Sequence, residues 1–167
     1  MRPFVTRLVF AAGFTATALP AVSVPGTAHA SHYRLPVAGF LSDAETAALR
    51  KAGFDTTLAL LDAIASLKGR QDVARRSGLP LPRLTLIAAE VDLLRVSGVG
   101  PSMVRLLQAA GVRHSRDLAR SAAADLARRL EAANAAQRIA PVTPNAQILV
   151  DWIRQAAGLK AVVEGLP

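Results

Sequence analysis

The sequence predicts an all-α protein, and three observations carry that expectation. Apolar residues recur at spacings of three and four almost throughout residues 36–158, and no stretch alternates with period two. Alanine, leucine and arginine dominate, while β-branched residues are scattered. Glycines and prolines (Gly53, Gly78, Pro80, Gly111, Pro141) punctuate the periodic segments. The chain has 167 residues, 20 basic and 12 acidic side chains, a net charge of +8 and no cysteine. Thiolate metal sites, iron–sulfur clusters, cysteine nucleophiles and disulfides are therefore excluded. With five Phe, one Trp and one Tyr, an aromatic-rich nucleic-acid platform is not expected.

Residues 1–30 differ in composition from the rest. They carry Arg2 and Arg7 and no acid, then a run of apolar or small residues from Leu8 to Leu19, interrupted by Thr15 and Thr17. Pro20 and Pro25 follow, and Ala28-His29-Ala30 places small residues where a signal peptidase reads. This is the layout of a signal peptide, with cleavage expected after Ala30. The other reading, a retained anchor, needs about 20 apolar residues, more than this run supplies. No twin-arginine pair is present, so the general secretion route is expected, with a periplasmic or extracellular destination. Removing Arg2 and Arg7 leaves a charge of +6 on residues 31–167. That length suits one domain, able to bury about two-thirds of its unfolded surface, and a monomer is expected.

Residues 31–35 read as a loose start. Ser42-Asp43-Ala44-Glu45 is a capping box opening a helix to Ala52, with Gly53 as its stop. A second helix is expected over 57–67, with Leu58, Leu61, Ile64 and Ala65 on one stripe. Gly69 separates it from a short helix around 71–76, which Gly78 ends. Pro82, at the first helical position, opens a long helix to Leu94. Further helices are expected over 101–110, 116–120 and 122–136. Thr143 and Pro144, as N-cap and first helical residue, open a last helix to Ala157, and residues 159–167 read as a frayed tail. The expected core is Leu58, Leu61, Leu84, Ile87, Leu94, Val99, Leu106, Leu107, Leu130, Ile148 and Trp152.

The chain repeats itself. Leu49-Arg50-Lys51-Ala52-Gly53-Phe54 returns as Leu107-Gln108-Ala109-Ala110-Gly111-Val112, and Pro36-Val37-Ala38-Gly39-Phe40 aligns with Arg95-Val96-Ser97-Gly98-Val99. Each copy reads as an apolar residue, a glycine turn, a helix ending in Ala-Gly-apolar, and further helices. The second copy, Val96-Ser97-Gly98-Val99-Gly100-Pro101 followed by Leu106-Leu107 and Ala110-Gly111-Val112, resembles a helix-hairpin-helix element. Residues 36–158 as a whole resemble a bacterial family of unknown function with two such hairpins in tandem. In that family the chain often ends in a segment like Pro144-Asn145-Ala146-Gln147-Ile148-Leu149-Val150-Asp151-Trp152-Ile153. The fold this implies is two tandem helix-hairpin-helix-type repeats, about 36–94 and 95–158, with trailing helices packed as one small domain.

The resemblance also implies a chemistry. The amides of Gly98, Gly100 and Ser102, with the positive start of the next helix, would face a nucleic-acid phosphate, and Val99 would plug the space between the two helices. Arg95, Arg105 and Arg113 would supplement them. Pro101 has no amide and shapes the turn. Binding would be to DNA or RNA without sequence preference and steeply salt-dependent. Residues 91–160 carry +5 against +2 for 31–90, so the intact hairpin lies in the more basic half. In the first copy Leu41 stands where the second glycine should be, so phosphate binding is not carried onto residues 39–42. The alternative is an interaction or scaffold domain whose hairpins are only joints and whose basic face meets an acidic protein. An arginine rim near Gly98 would favour nucleic acid, and an exposed apolar patch there would favour a protein.

An enzyme is not expected. No nucleophile elbow, phosphate loop or dinucleotide fingerprint appears, and neither cofactor nor metal is implied. His32 falls in the loose start, and His114 reads as a surface loop residue. Asp43 and Glu45 serve helix capping, while Asp62, Asp92 and Asp151 read as helix-surface charges.

Overall fold

A computed structural model describes residues 32–166; the expected signal peptide lies outside the described residues. Among those residues the architecture is all-α, in one small domain. A 3-10 turn at Leu35–Val37 precedes eight helices: α1 Asp43–Lys51, α2 Thr57–Ile64, α3 Leu67–Ser77, α4 Leu81–Leu93, α5 Pro101–Ala109, α6 Ser115–Ala119, α7 Ala123–Gln137 and α8 Ala146–Gly158.

The sequence repeat has a counterpart in the backbone. α1 and α5 end in the same way. Phe54 N donates to Leu49 O and Gly53 N to Arg50 O; Val112 N donates to Leu107 O and Gly111 N to Gln108 O. These are the two crossed bonds of a Schellman stop, which needs a left-handed residue after the cap. Gly53 and Gly111 supply it, at φ of +94° and +84°. Two residues beyond each apolar residue, a side chain caps the next helix: Thr56 accepts from Ala59 N and His114 from Asp117 N. Packing repeats as well. α1 lies on α3 and α5 on α7; α2 lies on α4 and α6 on α8; α3 meets α4 and α7 meets α8.

Each set of four helices closes its own core. The first holds Leu35, Leu49, Leu60, Ile64, Leu84 and Ile87, and the second Val99, Leu106, Leu107, Leu118, Leu126 and Trp152. Phe40 packs against both. A polar joint also ties the halves. Asp92, 3 % exposed, accepts from Ser115 N and Oγ with one oxygen and from Arg95 with the other. It is therefore a buried connector between α4 and α6, not the helix-surface charge the sequence suggested. A polar group at that depth is tolerable because every contact is matched.

Within the first half, Arg83 joins α4 to α1. It donates to Glu45 at 2.6 Å, to Glu90 at 3.2 Å and to Phe40 O at 2.9 Å. The hydrogen bond from Arg83 lowers the Glu45 pKa to about 2, while burial raises that of Glu90. The two acids then act on stability with opposite signs. The contribution of Glu45 is present above its ordinary value and lost as pH falls through about 2. Glu90 is favoured in its protonated form, so its share declines as pH rises above 4.5. Glu90→Gln should remove that decline and leave the acid-side loss. Urea midpoints of the variant should gain on wild type from pH 4 to pH 7, and a constant difference would contradict the assignment.

Several expectations need correction. α2 ends at Ile64, and α3 runs through Gly69, because Ser66 caps α3 through Gly69 N and no break is needed there. The buried face of α2 is Thr57, Leu60, Leu61 and Ile64, which turns Leu58 outward at 41 % exposure. α4 begins at Leu81 behind Pro80, one residue before Pro82. α8 begins after Asn145, whose side chain accepts from Ile148 N, so Thr143 is not the cap. Ile148 lies in the exposed first turn of that helix and is not core. The start at 31–35 is not loose where described: Arg34 bridges to Thr56, Tyr33 pairs with Thr57, and Leu35 is buried. His114 is 2 % exposed, because capping α6 draws its ring inward. The tail is also docked: Val163 enters the first core.

Candidate functional site

The turn between α4 and α5 is built by short backbone bonds. Val96 N donates to Leu93 O and Val99 N to Val96 O, and Gly98 takes a left-handed φ of +87°. The first copy places Gly39 likewise at +70°. Val99 is fully buried in the second core and anchors the turn from beneath. Gly100 is the N-cap of α5 and has no side chain to offer. Among the described residues no acceptor meets the amides of Gly98, Gly100, Ser102 or Met103. Those donors gather at the positive end of α5.

The sequence singled out seven residues, and the structure sorts them. Gly98, Val99, Gly100 and Ser102 come together in the turn. Arg105 stands three residues beyond Ser102, on the same helix face, exposed and with no ion-pair partner among the described residues. Arg95 is turned away: Nη1 donates to Asp92 at 2.8 Å and Nη2 to Lys160 O at 3.0 Å. Arg113 lies beyond the far end of α5, about 12 Å of helix rise from the turn. Its Nε sits 3.4 Å from Asp117 Oδ2. The three arginines therefore do not form one rim.

Three residues that sequence reasoning left out shape the site. Gln155 of α8 clamps the turn, accepting from Ser97 N at 2.9 Å. The indole of Trp152 lies against Gly98 so closely that a Cβ there would meet Nε1 at 3.0 Å. Tyr33 brings its hydroxyl beside Gly100, 3.3 Å from where a Cβ would stand, and Gly39 meets Pro101. The repeat alignment pairs these two turns but does not place them in contact. Beside Gly98 runs a shallow groove lined by Met103, Val142, Pro144, Ile148 and Trp152. Val142 is 72 % exposed there.

The first copy differs where the helix begins. Ser42 Oγ accepts from Glu45 N, and the Glu45 carboxylate accepts from Ser42 N at 2.8 Å. A carboxylate thus already occupies the start of α1, where α5 has nothing. Among the described residues no group of three His, Asp or Glu side chains could hold a metal ion, and no helix is long and apolar enough to cross a membrane.

Residues 40–159 match the model of the family described as Domain of unknown function (DUF4332), and the chain belongs to that family. No curated protein and no solved structure matches it.

Proposed function

We propose that this member of the family is an exported, non-enzymatic binding module of two tandem helix-hairpin-helix-type units, whose second turn holds the phosphate backbone of DNA or RNA without reading its sequence. The observation that carries this reading is the start of α5. Its amides lack intramolecular acceptors among the described residues, and Arg105 adds an unpaired cation on the adjoining face. A helix start of this kind favours a phosphate oxygen through both its amides and its dipole. The first unit, with Glu45 seated at the start of α1, would repel the same ligand.

A salt titration of the chain from Ser31 to Pro167 with a fluorescent DNA duplex tests this. Affinity should fall on a log–log plot with a slope of about −2 to −4. Arg105→Ala should flatten the slope by about 1. A folded Gly100→Glu variant should lose binding, since the new carboxylate meets the same donors. No binding at low salt would overturn the reading. The groove beside Gly98 supports a second one, a protein partner. Trp152, Ile148, Met103 and Val142 offer an apolar surface where an arginine rim would favour nucleic acid, and Arg95 is engaged elsewhere.

A further inference from the structure

The last residues make a crossing that the fold of the second unit does not require. After α8 the chain runs back to the first unit, where Val163, 2 % exposed, fills a gap in that core. Glu164 N donates to Ala65 O at 2.8 Å, and the Glu164 carboxylate accepts from Leu67 N at 3.1 Å, at the start of α3. Arg70 Nη2 donates to Glu164 O at 2.6 Å, and Arg116 Nη2 reaches Val163 O at 3.4 Å. Lys160, Ala161 and Val162 are exposed. The hold on the first unit thus rests on Val163 and Glu164, with Leu166 packed against the same core.

Arg70 is the unusual member of this seat. It is 2 % exposed, yet no carboxylate pairs with it among the described residues. Nη1 donates to Ile64 O and Ala65 O, and Nε has no partner. A buried guanidinium is costly unless its donors are met, and one of its bonds is made by the crossing segment. The seat offers a pocket for one apolar side chain, a carbonyl for an amide, guanidinium donors for two carbonyls, and a helix start for a carboxylate. Main-chain bonds beside a side-chain pocket are how extended peptides are recognised.

We infer that residues 160–166 are an intramolecular pseudo-ligand, filling a cradle between α2, α3 and α6 that takes an extended apolar–acidic segment of a partner protein once this strap lets go. The strap's own contacts define a peptide of that kind: Val163 fills the apolar pocket, the amide of Leu67 at the start of α3 holds the one acidic side chain, and Arg70 and Arg116 donate to the main-chain carbonyls beside it. A tether of this length holds the strap at an effective concentration on the order of millimolar, which hides the cradle from weaker partners. Opening needs the release of one buried side chain and a few hydrogen bonds, well short of global unfolding.

The test uses a blocked peptide of residues 159–166 and the full chain carrying Val163→Asp, which unseats the strap and leaves the cradle intact. The peptide should bind the folded variant and bind wild type at least about tenfold more weakly, since the tethered strap competes. A peptide with aspartate at the position of Val163 should not bind. Hydrogen exchange on wild type keeps the idea testable should that variant unfold. Millimolar peptide should expose the Glu164 amide while the Leu67 amide, capped by the incoming carboxylate, stays protected. Unchanged protection of Glu164 would mean a permanent structural clasp and overturn the inference. Displacement by inorganic tripolyphosphate and not by the peptide would also overturn it, making the cradle an anion site.

Discussion

Replacing Trp152 with alanine is expected to lower the unfolding free energy by about 3–5 kcal/mol, the range for truncating a large buried aromatic. The side chain is 5 % exposed and shares the second core with Leu149 and Ala156 on the inner face of α8. Its loss leaves a void between α8 and the turn at Gly98, which rests against the indole. The rigid segment around Gly98 cannot close that gap without giving up the Gln155 clamp on Ser97. Circular dichroism is the suitable readout, because Trp152 is the only tryptophan. A loss below about 1 kcal/mol would mean that α8 does not depend on this side chain. In wild type the same uniqueness is useful. Fluorescence of Trp152 reports on the groove, so quenching by DNA or by a protein would show which ligand reaches the turn.

Much of the helical order was legible because capping and stopping are local. Ser42 with Glu45, and Gly53 and Gly111 after their helices, act over a few residues, and these stand as the sequence expects. The repeat was legible for the same reason, since it recurs residue by residue. What sequence could not supply depends on long-range company. Leu58 has the character of a core residue, but α2 takes its phase from α3 and α4, which select Leu60 and Ile64. Asp92 reads as a surface charge until Ser115 and Arg95 converge on it. The tail reads as frayed, and only the gap that Val163 fills gives it a place. At the site, the turn and its glycines were readable, whereas the inward commitment of Arg95 and the arrival of Tyr33 and Trp152 were not. Tyr33 and Trp152 arrive from far away in sequence, and Arg95, whose carboxylate Asp92 is only three residues back, is held inward by the distant carbonyl of Lys160 as well.

Gly69 separates local from tertiary reasoning most sharply. It lies inside α3, and helix propensity alone says that Gly69→Ala should stabilise by about 1 kcal/mol. The fold says the opposite. A Cβ at Gly69 would stand 2.0 Å from the carbonyl oxygen of Ala63, in the last turn of α2. That neighbour is backbone, so no rotamer change relieves the clash, and α2 and α3 must part at the tightest point of the first unit. The site also adjoins Ser66, whose hydroxyl caps α3 through Gly69 N at 3.0 Å, and Arg70, whose donors meet the carbonyls ending α2. Parting the helices would therefore strain a cap and a buried guanidinium together. Overpacking of this kind costs about 3 kcal/mol, so the net expectation is a loss of about 2 kcal/mol after the propensity gain. Gly158→Ala is the matched control, since nothing lies within 4 Å of a Cβ at that last residue of α8. The two variants should move the urea midpoint differently, the first well downward and the second little or slightly upward. A stabilised Gly69→Ala protein would show that α2 and α3 do not approach so closely.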